Sequence, residues 1–163
     1  MVRECHLYQE FLQVTKVLNE RLAIVPVLYG SLGLEKVTQL NFSPQDIDIL
    51  VPLSFLEEKW EILKDTLELL DYTLIDLHEH EFVKNDCKIG FAFMEDLVAF
   101  ADVDYKNLAR FEDKGANYSL LTIADYHKVY TKSLQDGYRR TKNNSKDLQK
   151  LTILSKLFNK IYN

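Results

Sequence analysis

The chain is sparing with the residues that punctuate or staple a fold. Only five Gly and three Pro occur in 163 residues, which excludes collagen-like sequence and argues against extended disorder. The two cysteines, Cys5 and Cys87, lie far apart and outside any CxxC or Cys/His ligand spacing, so reduced thiols are expected rather than a disulfide framework or a zinc site. No apolar run approaches the roughly 18 residues of a membrane span. Gln9, Glu10, Gln13 and Lys16 interrupt the N-terminus where a secretory signal needs its apolar stretch. A soluble, cytoplasmic protein without a membrane partner is the expectation. Positive charge is also short, with 20 Lys and Arg against 25 Asp and Glu, a net charge of -5. Phosphate neutralisation supplies most of the affinity for duplex nucleic acid, so bulk nucleic-acid binding is disfavoured.

Apolar residues are well supplied, at 47%, enough for one sizeable core. The length fits a single domain over residues 1–163 and is too short for a TIM barrel. From Glu4 to Leu22, Leu7, Phe11, Leu12, Val14, Val17, Leu18 and Leu22 recur at three- and four-residue steps and predict an amphipathic helix. Ala23 to Tyr29 reads as a buried strand, with Pro26 at an edge or a strand start because it cannot donate to a ladder. Leu32 to Leu40 can form a short helix, and Asn41 to Gln45 a loop. Asp46 to Leu53 predicts a strand with Ile47, Ile49 and Val51 on one face and Asp46, Asp48 and Leu50 on the other.

Ser54 and Glu57 form a capping-box pattern that would open a helix carrying Phe55, Leu56, Trp60, Leu63, Leu67 and Leu70. Tyr72 to Val83, Lys88 to Met94 and Leu97 to Val103 read as further strands, the first two separated by a turn at Lys84-Asn85-Asp86. Thr122 can cap a helix to about Leu134, stopped by Asp136-Gly137. A last helix is expected from about Ser145 to Tyr162, with Leu148, Leu151, Leu154, Leu157 and Ile161 inward. The reading is an α+β domain with a sheet core over about 23–104 and a mainly helical part over about 105–163.

The chemistry-bearing feature is Gly30-Ser31, a gap of fourteen residues, then Asp46-Ile47-Asp48. Aspartates at alternate strand positions point the same way and are held rigidly. Their hard oxygens suit Mg²⁺, which takes one or two protein carboxylates and completes its shell with water and substrate phosphates. Gly30 lets backbone approach a phosphate, and Ser31 adds a hydroxyl near a helix N-terminus that favours anions. Either half alone is common in proteins; the order of strand, Gly-Ser, short helix, loop and Asp-x-Asp strand is not.

That order resembles the nucleotidyltransferase superfamily that includes DNA polymerase beta. Asp136-Gly137-Tyr138-Arg139 and Lys146-Asp147 with Leu151 are similar to C-terminal segments of small lincosamide-type nucleotidyltransferases, so the likeness spans roughly residues 23 to 151. It implies a nucleotidyltransferase-like mixed sheet with covering and C-terminal helices. It further implies that Asp46 and Asp48 hold two Mg²⁺ ions, that Gly30 and Ser31 hold the phosphates of ATP or another NTP, and that a third carboxylate comes from a later strand. If Tyr72 to Val83 is one strand, Asp76 and Glu79 lie on opposite faces. Glu79 ranks first, Asp76 second, and Glu81 or the pair Asp102 and Asp104 lower; all can equally be solvated edge charges.

His78 and His80 would project to one side of such a strand, but no sequence pattern supplies the further ligands a zinc ion needs. Arg139, Arg140, Lys142, Lys146 and Lys150 form a basic segment that reads either as a solvated helix start or as a site for the triphosphate, with Arg139 and Lys146 as its nucleotide-binding candidates. The expected function is Mg²⁺-dependent transfer of a nucleoside monophosphate to a hydroxyl of a small molecule, an antibiotic among the candidates, or of a protein. A non-catalytic binding or regulatory module on the same fold is the alternative.

Overall fold

The computed structural model describes residues 5–135 and 137–162, with side chains described for 5–135 and 147–161. Among these residues, seven strands form one mixed sheet in the order β3-β4-β5-β2-β1-β7-β6, and six α-helices cover it. The chain runs α1 (Leu7–Leu22), β1 (Val27–Tyr29), α2 (Gly30–Thr38), β2 (Ile47–Val51), α3 (Trp60–Leu69), β3 (Thr73–Asp76), β4 (Glu81–Lys84) and β5 (Cys87–Phe93). It continues through α4 (Asp96–Ala101), β6 (Ala109–Asp113), β7 (Ala116–Leu120), α5 (Ile123–Gln135) and α6 (Gly137–Tyr162).

Alternation along the strands sorts side chains into two cores. One unites Phe11, Leu12, Val14 and Leu18 of α1 and Leu63 and Leu67 of α3 with Leu28, Ile47, Ile49, Val51, Phe82 and Ile89 of the sheet. The other unites Val27 and Leu50 with Leu34, Leu97, Tyr126, Val129, Tyr130 and Leu154 of α2, α4, α5 and α6. The predicted division of β2 into an apolar face and an Asp-bearing face is therefore what the sheet uses. Pro26 stands just before an interior strand, where its carbonyl accepts a hydrogen bond from Ser119 N at 2.9 Å; of the two expected positions it takes the strand start.

Several expectations need correction. The Ser54 segment forms a 3-10 turn over Leu53–Leu56, its backbone carbonyl accepting from Glu57 N and Lys59 N, and α3 begins only at Trp60. Tyr72 to Val83 is not one strand: a turn over residues 77–80 with His80 at φ 54° breaks it into the β3–β4 hairpin. Leu97 to Val103 lies largely in helix α4, not a strand. The sheet also extends past residue 104, because Ala109–Asp113 and Ala116–Leu120 pair as an antiparallel hairpin. Thr122 caps α5 as expected, exchanging bonds with Asp125 at 3.0 and 3.2 Å. The last helix starts at Gly137 rather than near Ser145. Of its expected inward residues Leu154 is buried, whereas Leu148 and Ile161 are 53% and 55% exposed.

The thiols are corrected as well. Cys5 and Cys87 are joined in a disulfide, with Cα atoms 5.2 Å apart. The residues leading into α1 lie against the start of β5, a proximity that an 82-residue separation conceals, so the argument for a cytoplasmic address from reduced thiols does not hold. Among the described residues no helix is long and apolar enough to cross a membrane.

Candidate functional site

The open end of the second face carries a row of side chains set by register. Tyr29 of β1 pairs with Asp48 of β2, Asp48 with Gly90 of β5, and Gly90 with Glu81 of β4. Cross-strand partners share a face, so Tyr29, Asp48 and Glu81 project together, with Gly90 leaving the space between the two carboxylates open. A Cβ on Gly90 would lie 3.6 Å from Asp48 Oδ1 and 3.9 Å from Glu81 Cγ. Gly30, at φ +64°, fits against the other oxygen; a Cβ there would collide with Asp48 Oδ2. Sequence reasoning named Gly30, but Gly90 is found only through the strand register.

These residues line a cleft of about 760 Å³ with Ser31, Asp46, Glu79, Tyr130, Ser133, Asp147 and Lys150. Asp46 is exposed just before β2, whereas Asp48 is half-buried on the floor. Burial, then repulsion from Asp46 and Glu81, pushes the Asp48 carboxyl up to about 6, against the pull of Lys150 and Lys88. A carboxylate perturbed in this way and set in a cleft makes the cleft the candidate functional site. Lys150 of α6 reaches across the cleft and donates to Ser31 Oγ at 2.7 Å, with its ammonium 5.4 Å from the Tyr130 ring centre. Ser31 lies in the first turn of α2, where unpaired backbone N–H groups favour an anion.

The later acidic residues are placed unevenly around this cleft. Glu81, ranked low, stands in the row with Asp48 and is paired with Lys88 at 2.9 Å. Glu79 lines the cleft but sits exposed in the β3–β4 turn, its backbone N–H donating to Asp76 Oδ1 at 3.1 Å. Asp76 thus serves the turn and is not in the cleft wall. Asp102 ends α4 in a left-handed conformation, and Asp104 accepts from Lys106 N and Asn107 Nδ2; neither lines the cleft. The even-odd argument that set Asp76 and Glu79 on opposite faces assumed one strand, and that strand is a hairpin. Arg139 and Lys146 fall outside the residues whose side chains are described. Among the described residues of that segment, Lys150 is a cation that lies in the site.

Among the described residues no three His, Cys, Asp or Glu side chains converge tightly enough to hold a metal by themselves. His78 and His80 lie in the turn, and the His80 ring packs edge-on against Trp60, 4.9 Å between centres, which removes the basis for a strand-borne zinc pair. The Asp46–Asp48 pair, with Gly90 keeping space open beside Asp48, offers an oxygen-donor set suited to Mg²⁺, a cation that keeps several water or substrate oxygens in its shell.

No family profile matches the chain, and no solved structure matches it. A Bacillus subtilis (strain 168) protein carrying the name "Uncharacterized protein YnaI" is 63% identical over 151 residues, covering 93% of this chain and 97% of that relative.

Proposed function

The chain belongs to one family with that Bacillus subtilis relative, and from its cleft we propose a Mg²⁺-dependent nucleotidyltransferase that moves a nucleoside monophosphate from ATP or another NTP to a hydroxyl group. The supporting observation is the row Asp48, Gly90, Glu81 facing Gly30 and Ser31. This also favours a nucleotidyltransferase-like version of the mixed sheet.

In this reading Gly30 lets the phosphate chain approach the backbone, while Ser31 and the α2 N-terminus donate hydrogen bonds to its oxygens. Lys150, already at Ser31, supplies the ammonium that offsets triphosphate charge. When bound at Asp46 and Asp48, two Mg²⁺ ions would neutralise charge on the phosphates and the attacking oxygen. Glu81 takes the acceptor proton or completes the carboxylate set, once Lys88 releases it. A second reading, a nucleotide-binding module without transfer, is favoured by that Lys88–Glu81 pair, which neutralises the third carboxylate.

The test is Mg²⁺-dependent thermal stabilisation by each NTP, run on the wild type and on Asp46→Asn. A ligand at 100 times its Kd stabilises the native state by about 2.7 kcal/mol, a readily measured shift. A metal-dependent shift lost in Asp46→Asn is expected; no shift with any NTP at millimolar concentration overturns the reading. Binding without turnover against any hydroxyl acceptor selects the second one.

A further inference from the structure

One buried carboxyl group in the cleft has no part in the chemistry above. Asp147 of α6 is only 6% exposed, yet it lines the cleft. Ser133 of α5, itself buried, donates to its Oδ2 at 2.5 Å. A carboxylate can accept about four hydrogen bonds, and among the described residues Ser133 is the one donor to Asp147, so this buried group keeps acceptor capacity that a ligand N–H would fill.

Its position also has a direction. Lys150 follows three residues later on the same helix, about 4.5 Å further along the axis, and faces Ser31 at the phosphate end of the cleft. Beside Lys150 lies Tyr130, whose buried phenol is held well above its usual range by burial first and then by its neighbours Tyr29, Asp147 and Asp48. The α6 wall is therefore dipolar, with an ammonium toward the phosphates and a carboxylate one turn away. A substrate anionic at one end and rich in N–H donors at the other matches both poles.

We propose that Asp147 is a specificity-determining residue that recognises an amino group of the substrate in this cleft. The inference rests on the reading that the cleft takes a nucleotide and a hydroxyl acceptor. The amino group can come from the exocyclic amine of the base or from the ammonium of an amino-sugar or amino-alcohol acceptor. A site built around a substrate N–H discriminates strongly against the analogue that lacks it, because the buried acceptor is then left unpaired.

Two probe pairs separate these sources. Binding of Mg²⁺-ATP and Mg²⁺-ITP, and of glucosamine and N-acetylglucosamine, is measured calorimetrically on the full-length wild type and on Asp147→Asn, with circular dichroism reporting the fold. A base-amine site gives ATP a preference over ITP of about tenfold or more, collapsing toward one in Asp147→Asn. An acceptor-amine site leaves ATP and ITP alike but binds glucosamine over N-acetylglucosamine, a preference lost in the variant. Equal affinities within both pairs in the wild type, or preferences unchanged in a folded Asp147→Asn, overturn the proposal. If Asp147→Asn does not fold, Ser133→Ala keeps the carboxylate and removes its hydroxyl donor; affinity for the preferred amino ligand must then change at least about threefold, and an unchanged value overturns the proposal. Absence of NTP binding to the wild type defeats the nucleotidyltransferase reading, while the amino-sugar arm still decides the role of Asp147.

Discussion

The two faces of the sheet treat a carboxylate in opposite ways. On the face covered by α1 and α3, Glu10 accepts from Tyr72 Oη at 2.7 Å and from Lys84 Nζ at 2.9 Å. Burial would raise its carboxyl, but the bonds from Lys84 and Tyr72 outweigh it and hold the group below its ordinary value. On the other face burial and Asp46 win, and Asp48 rises to about 6. The first face is organised for stability and the second gives up stability around a cleft, the pattern expected where a site awaits a ligand.

The sharpest way to break this comparison is to exchange the cost of two substitutions. Phe11→Ala empties a fully buried position on the closed face and should destabilise by about 3–5 kcal/mol in denaturant unfolding. Asp48→Asn should leave unfolding free energy unchanged or raised while abolishing the nucleotide transfer proposed above; a loss of stability comparable to that of Phe11→Ala would make Asp48 a structural residue. A smaller effect sharpens the comparison through pH. The raised carboxyl of Asp48 contributes stability that is full below its ordinary value of 3.8 and is lost as pH climbs to about 6. Glu10, held low, contributes stability present above its ordinary value and lost as pH falls through its depressed one. Unfolding measured across pH 3.8 to about 6 should therefore show a declining component that vanishes in Asp48→Asn and persists in Glu10→Gln. The smallest effect concerns the far wall: Lys150→Ala should weaken Mg²⁺-NTP binding about tenfold, read by calorimetry, with the fold retained.

What the sequence disclosed follows the strength of its local periods. α1, the two faces of β2 and the Thr122 cap were legible because repeating apolar spacing and a capping pattern act over a few residues. Residues 77–80 form a turn without Gly or Pro, so Tyr72 to Val83 reads as one strand in the sequence and the hairpin stays hidden. The β6–β7 hairpin escaped because its outer strand is polar and largely exposed, although Lys114-Gly115 at its tip was a usable turn signal. Gly30, Ser31, Asp46 and Asp48 were readable as a local motif. Glu81, Gly90 and Lys150 join them only through register and helix packing, which no short window of sequence contains.

The Cys5–Cys87 link makes the chain from residue 5 to residue 87 a covalent ring. Gly30, Ser31, Asp46, Asp48 and Glu81 all lie inside it, while Gly90, Ser133, Asp147 and Lys150 lie on the tail that leaves it. In the oxidised protein one wall of the cleft is thus tethered to itself at both ends, and the α5–α6 wall meets it through packing and contacts such as Lys150 to Ser31. The fold thus divides its cleft between a cross-linked jaw and one joined to it by the onward chain and by noncovalent contacts, with Tyr126 and Leu154 packed into the core beneath.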